Sequence, residues 1–300
     1  MKVPEPAAKT TKDRGLSLTS VLVATDFSPV SDLALTYAVA LARHYGAQVY
    51  LTHVVTEGQA VSPAESGRAA YEKMRRVAEQ GIADILKSGR MRGVAHEVLL
   101  EEGYLWEVIE RLIHAHKISL VTVGTHGVRS VQGEFMGSSA EMIFRRAECP
   151  VLTVGPASAG KDSGEVEFKK ILFATNFGRA AEHAAPYAFS LAQEYRAMLT
   201  LLHVMKPSEE YSEKGLAMLQ ETTRYRLEQC LPPGIEQWCK AECVVKSGEC
   251  AEEILQAARA MKADLVVMGA GRKHLVTHLP QSAAYTVAAG APCPVLTVRA

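Results

Sequence analysis

One stretch of this chain is written twice. Residues 21–55 read VLVATDFSPVSDLALTYAVALARHYGAQVYLTHVV, and residues 171–205 read ILFATNFGRAAEHAAPYAFSLAQEYRAMLTLLHVM, which align without a gap at an offset of 150 residues. Farther along, Glu102-Gly103 matches Ser247-Gly248, and Leu120-Val121-Thr122-Val123-Gly124 matches Leu265-Val266-Val267-Met268-Gly269. Both copies close on the same six residues, CPVLTV, at Cys149 to Val154 and Cys293 to Val298. Agreement at so many spaced points implies duplication of a whole domain, and 300 residues leave room for two of ordinary size. The expected organisation is a polar tail over 1–16, a domain over 17–155, a linker over 156–168 and a domain over 169–300. In the linker, Gly, Ser, Ala and charge replace apolar periodicity.

Each copy alternates between two hydrophobic periods. Val21 to Thr25 is a short apolar run, which predicts a buried strand, and from Val30 the positions Ala34, Tyr37, Ala38 and Leu41 fall at helical spacing with Gly46 as a stop. Val49 to Val55 predicts a second strand, and Tyr71, Met74, Ala78, Ile82 and Ile85 an amphipathic helix whose other face carries Glu72, Lys73, Arg75 and Arg76. A third strand over Val94 to Leu100, a helix over Leu105 to His116, a strand over Leu120 to Gly124, a helix from about Ser138 and a strand over Val151 to Val154 complete the unit. Nearly all-apolar strands alternating with helices indicate α/β architecture: parallel sheets covered on both faces, with right-handed crossovers and therefore doubly wound. Ligands in such sheets sit beyond the strand C-terminal ends where the strand order reverses. The loops carrying Asp26 and Gly124 are expected to meet there.

The second of those loops has a pattern suited to an anion. Gly124-Thr125-His126-Gly127 is followed, after nine residues, by Gly137-Ser138-Ser139, between a strand and a helix start. Glycines let backbone approach a ligand closely, and the first N–H groups of a helix have no intrahelical partner. Phosphate is the expected guest.

On the ATDFS strand end, the LTHV and LLHV strand ends, the GxxG-x9-GSSAE spacing and the CPVLTV termini, the chain resembles a tandem universal stress protein. The resemblance covers residues 17–155 and 169–300. It implies two tandem doubly wound domains with five-stranded parallel sheets, of the adenine-nucleotide α-hydrolase-like type, and ATP as ligand, with accompanying Mg2+ left open. By the same resemblance Asp26 contacts the nucleoside near the ribose, and the backbone of Val54 faces the adenine. Gly124 and Gly127 let the loop close over ribose and phosphates, and Gly137, Ser138 and Ser139 hold phosphate oxygens. No residue is assigned to catalysis or to a metal. Family domains pair through their last strands, so Val151–Val154 and Val295–Val298 are expected to pair within the chain as a pseudo-dimer, with a further homodimer left open.

Each of these residues has a competing role. Asp26 can instead cap the helix starting near Pro29. His126 reads as a solvent-facing spacer, His53 and His203 as structural histidines at one repeat position, and Arg129 as an exposed loop charge, with contact to phosphate as the alternative. Cys239 and Cys243 lie on a strand-like segment, about 13 Å apart and too far for a shared zinc, so they read as buried thiols.

The second copy departs where the chemistry lies. Asn176 stands for Asp26, and, aligned from the CPVLTV ends, Gln281 stands for Gly137, Ser282 for Ser138 and Ala283 for Ser139. ATP binding is therefore expected in the first domain and weak or absent in the second, whose Arg272, Lys273, His274 and His278 keep that loop basic. Lys plus Arg balances Asp plus Glu at 33 each, which gives no general footprint for nucleic acid or anionic membrane. No apolar run reaches the length of a membrane span and the N-terminus lacks the apolar core of a signal peptide, so a cytoplasmic location is expected. No GxxxxGK[ST] loop or carboxylate pair for metal-assisted attack is legible. The resemblance thus implies an ATP-binding stress-response regulator acting on an unidentified protein partner. The alternatives are a slow ATPase or adenylyl-transfer enzyme, or a scaffold without ligand.

Overall fold

Strands and helices alternate as the apolar periods require. A computed structural model describes residues 16–56, 67–126, 135–158, 166–206, 212–271 and 282–300. In the first half, strands β1 (Ser20–Ala24), β2 (Gln48–Val55), β3 (His96–Glu102), β4 (Leu120–Gly124) and β5 (Val151–Val154) alternate with helices α1 (Pro29–Tyr45), α2 (Gly67–Lys87), α3 (Leu105–Ala115) and α4 (Ser138–Arg146). The second half repeats the order with β6 (Lys170–Ala174), β7 (Met198–Met205), β8 (Ala241–Ser247), β9 (Leu265–Ala270) and β10 (Val295–Arg299). Its helices are α5 (Arg179–Glu194), α6 (Glu213–Glu228), α7 (Cys250–Met261) and α8 (Ala283–Gly290).

Helices cover both sheet faces, which is why central strands carry no polar alternation: Val21, Leu22 and Val23 of β1 all have 0% exposure. Helix α1 shows how the sequence sets its own limits. The Ser28 hydroxyl accepts from Ser31 N–H at 3.1 Å and Pro29 opens the first turn. Ala34, Leu35, Ala38, Leu41 and Ala42 are buried, and Gly46, at φ +67°, stops the helix in the left-handed region.

The strand order is β3-β2-β1-β4-β5-β10-β9-β6-β7-β8, one ten-stranded sheet. Pairing is parallel within each half and antiparallel at the centre, where Leu152 of β5 lies opposite Leu296 of β10. Because the two strands are copies of each other, this register relates the halves by a local two-fold axis. Residues at equivalent repeat positions therefore meet across the seam. On one face His44 pairs with Glu194, its counterpart at the 150-residue offset, at 3.4 Å, and the His44 ring stacks on Tyr195 at 4.6 Å. On the other face Glu141 meets its counterpart Tyr285, whose hydroxyl donates to Oε2 at 3.2 Å.

Two expectations shift. The third strand begins at His96 and runs to Glu102, later than Val94 to Leu100. Gly89 and Gly93 adopt φ +72° and +76°, and Val94 N–H donates to Met91 O within that turn. Phe168, the last linker residue by composition, is 1% exposed and packs between Tyr37 and Tyr195. Cys239 and Cys243 are both buried, with the Cys239 thiol donating to Ala197 O at 3.0 Å. Among the described residues no helix is long and apolar enough to cross a membrane.

Candidate functional site

The order β2-β1-β4 puts the switch point between β1 and β4, and the loops leaving those strands touch there. Beyond Ala24, Thr25 is held on three sides. Its N–H donates to Thr52 O at 2.9 Å, its carbonyl accepts from His53 Nδ1 at 2.8 Å, and its hydroxyl accepts from Phe27 N–H at 3.0 Å. Asp26 Oδ1 then accepts from Ser28 N–H at 3.0 Å, so the carboxylate closes a turn while Ser28 caps α1. Asp26 is exposed at this rim.

Across the crevice the Ser28 hydroxyl donates to the His126 carbonyl at 3.4 Å. The neighbouring Thr125 carbonyl accepts from Gly137 N–H at 2.8 Å, which ties the start of α4 to the end of β4. A continuous path of hydrogen bonds thus joins Asp26, Ser28, His126, Thr125 and Gly137. His126 is half-buried, with Nδ1 2.8 Å from the Thr125 hydroxyl. It is not the solvent-facing spacer expected: its carbonyl makes the contact between loops, and its ring is held by the adjacent Thr125.

Val54 completes the floor. Val49 N–H donates to Ala95 on the β3 side, while the Thr52 carbonyl accepts from Thr25 on the β1 side. Successive residues of a strand address alternate neighbours in this way. Val54 has the parity of Thr52, and the ladder with β1 ends at the pair Ala24–Thr52. Its main-chain edge therefore faces the space past the end of β1.

Helix α4 begins at Ser138 with Gly137 as N-cap and no side-chain cap. The first turn leaves the N–H groups of Ser138, Ser139 and Ala140 without intrahelical partners, since Glu141 N–H makes the first helical bond, to Gly137 O. Ser138 and Ser139 are exposed. Oriented donors at the positive end of a helix dipole are suited to holding an anion. In the second half, Ser282 occupies the position of Ser138 and its hydroxyl accepts from Tyr285 N–H at 3.3 Å, which caps α8 internally. Gly127, Arg129 and the basic residues Arg272 to His278 lie outside the described residues.

The halves also separate what is structural from what is special to one copy. A Cβ on Gly124 would lie 2.9 Å from Ser31 N and Val30 C, and one on Gly269 would lie 2.4 Å from Ala180 C and Ala181 N. Both glycines let the helix that follows the neighbouring strand, α1 or α5, pack against their own strand end. His53 and His203 make identical 2.8 Å bonds to Thr25 O and Thr175 O, their rings tilted against Phe27 and Phe177 at 4.5 and 4.7 Å. Those phenylalanines share a left-handed backbone, φ +62° and +57°, so its strain belongs to the fold. Burial pushes the His53 pKa below its usual 6.5, against the opposing influence of the Thr25 carbonyl and the Asp26 charge. Asn176 Oδ1 accepts from Gly178 N–H at 3.0 Å, repeating the Asp26 turn without charge.

Comparison with known proteins identifies the family. The universal stress protein family matches residues 18–155 and again 167–299. The chain belongs to that family. A universal stress protein of Mycolicibacterium smegmatis is 28% identical over 305 aligned residues, covering 93% of this chain and 96% of its own. One from Thermus aquaticus is 36% identical over 138 residues, 44% of this chain and 99% of its own. The crystal structure of a universal stress protein from Archaeoglobus fulgidus superimposes with a TM-score of 0.67 at 18% identity, covering 93% of this chain and 98% of the other.

Within this tandem universal stress protein, sequence reasoning missed Tyr285. It reaches from α8 under the start of α4, where its hydroxyl accepts from Met136 N–H at 3.3 Å. It also missed Gly81 of α2, where a Cβ would lie 2.7 Å from the Phe27 ring. The first needs knowledge of the seam, and the second of a loop-to-helix contact.

Proposed function

We propose that the first half binds an adenine nucleotide, ATP foremost, as the signal of a cytoplasmic stress-response regulator, and that the second half does not. The observation that carries the reading is the start of α4. It has exposed first-turn donors and no side-chain cap, and it is joined by hydrogen bonds to the strand end that bears Asp26. Phosphate oxygens accept from the N–H groups and hydroxyls of Ser138 and Ser139, Gly137 gives access, Asp26 accepts from ribose hydroxyls, and the Val54 main chain borders the base. The second half substitutes at both ends of this arrangement: Asn176 retains the turn without the charge, and Ser282 caps α8 from within. Nucleotide occupancy then biases the conformations of the surrounding loops and so the docking of a protein partner, with no chemical step assigned.

Extraction and chromatography of nucleotide from the purified chain tests this. The expected result is adenine nucleotide at no more than one equivalent per chain, replaced by added ATP. A nucleotide-free chain that also fails to bind ATP at millimolar concentration overturns it.

A further inference from the structure

Tyr285 belongs to the half that carries no nucleotide in this reading, yet its polar contacts outside α8 lie in the other half. Its ring is 1% exposed, edge-on to Phe144 at 6.0 Å, with the Arg145 guanidinium 5.1 Å from its centroid. The hydroxyl is used twice: it accepts from Met136 N–H at 3.3 Å and donates to Glu141 Oε2 at 3.2 Å. Glu141 Oε1 is held at 2.6 Å by Arg145 Nε one turn along α4. Met136 immediately precedes the N-cap Gly137, and Glu141 N–H makes the first helical bond. One hydroxyl therefore grips the chain on both sides of the three first-turn donors, Ser138, Ser139 and Ala140.

We infer that Tyr285 is a positioning residue through which the second half sets the geometry of the anion-binding turn of the first. It fixes Met136 and so the direction from which the backbone enters α4. With Arg145, it also compensates the Glu141 carboxylate, a charge that otherwise opposes a phosphate at the same helix end. Burial raises the Tyr285 pKa, which keeps the hydroxyl protonated as the donor to Glu141. The local two-fold axis explains why only the second copy can do this. The equivalent position in the first copy is Glu141 itself, so two identical copies would bring carboxylate against carboxylate at this point. The inference assigns the second half a task its own site residues do not reveal. It rests on the reading of the α4 start as an anion site.

Tyr285→Phe in the full chain keeps the ring and removes the hydroxyl, so its unfolding midpoint serves as a control for folding. In nucleotide-free protein the Met136 amide is expected to exchange hydrogen at least about tenfold faster than in the wild type. ATP is expected to bind about three- to tenfold more weakly, the effect of one lost hydrogen bond. Glu141→Gln, whose amide oxygen still accepts from Tyr285, should leave Met136 exchange near the wild-type rate. Unchanged Met136 exchange in Tyr285→Phe overturns the inference, and so does faster exchange with unchanged ATP affinity. If the wild type binds no ATP, the proposed function falls, whereas the exchange measurement still decides whether Tyr285 holds the α4 start.

Discussion

At the scale of single residues, comparing the halves separates ligand roles from architectural ones. Asp26 and Asn176 close the same turn at the same 3.0 Å distance, so the turn needs an oxygen and not a charge. Asp26→Asn should leave stability within about 0.5 kcal/mol of the wild type in denaturant titration. It should weaken ATP binding about 10- to 100-fold, the scale of a lost charge-assisted hydrogen bond, and equal affinity would remove Asp26 from the site. The reverse holds for Gly124 and Gly269, whose missing Cβ atoms face helix backbone at 2.9 and 2.4 Å. Alanine at either should destabilise by about 1–3 kcal/mol, more at Gly269; substitutions tolerated without loss would show that the helices can move aside. The burial-depressed His53 pKa has a definite sign. The neutral ring is favoured in the fold, so its contribution is complete above the usual 6.5 and is lost as pH falls through the lower folded value. An NMR titration should find the ring below 6.5, and a value at or above that contradicts the account. Sequence alone could name the glycines, but it could not say that Gly124 accommodates Val30 and Ser31, because that contact spans strand and helix.

Elements were the most legible level. Strand and helix periods, the Gly46 stop and the start of α4 at Ser138 follow from spacing, Cβ-free positions and capping chemistry. The third strand was displaced because the left-handed Gly89 and Gly93 turn absorbs Val94, a local geometry that apolar periodicity does not encode. The asymmetry between α4 and α8 was legible as Gly137 against Gln281, yet its mechanism was not. Ser282, aligned with the first helical residue of α4, serves α8 as N-cap one position earlier in the helix. The α4 cap can be supplied by mutation. Gly137 has φ −60° and ψ 149°, open to any residue, so Gly137→Asp should stabilise the protein by about 0.3–1 kcal/mol while blocking phosphate. Calorimetric melting checks the first effect, and a lower melting temperature would mean that the α4 start is not short of a cap.

For the whole molecule, the seam explains why two dissimilar halves form one sheet. β5 and β10 are identical over VLTV, so their pairing register carries no preference for unlike partners. That preference lies in the side chains on the local axis: His44 against Glu194 on one face, Glu141 against Tyr285 on the other. Self-pairing of either half would set like carboxylates together at one of these points. This level was least legible, because residues 141 and 285 become neighbours only once the antiparallel register is known. The division of labour it supports, one half binding and the other positioning, can be measured directly. Isothermal titration of ATP into the full chain should give one site per molecule, lost in Gly137→Asp and unchanged in Asn176→Asp. Two sites per molecule, or full binding by Gly137→Asp, would contradict the account.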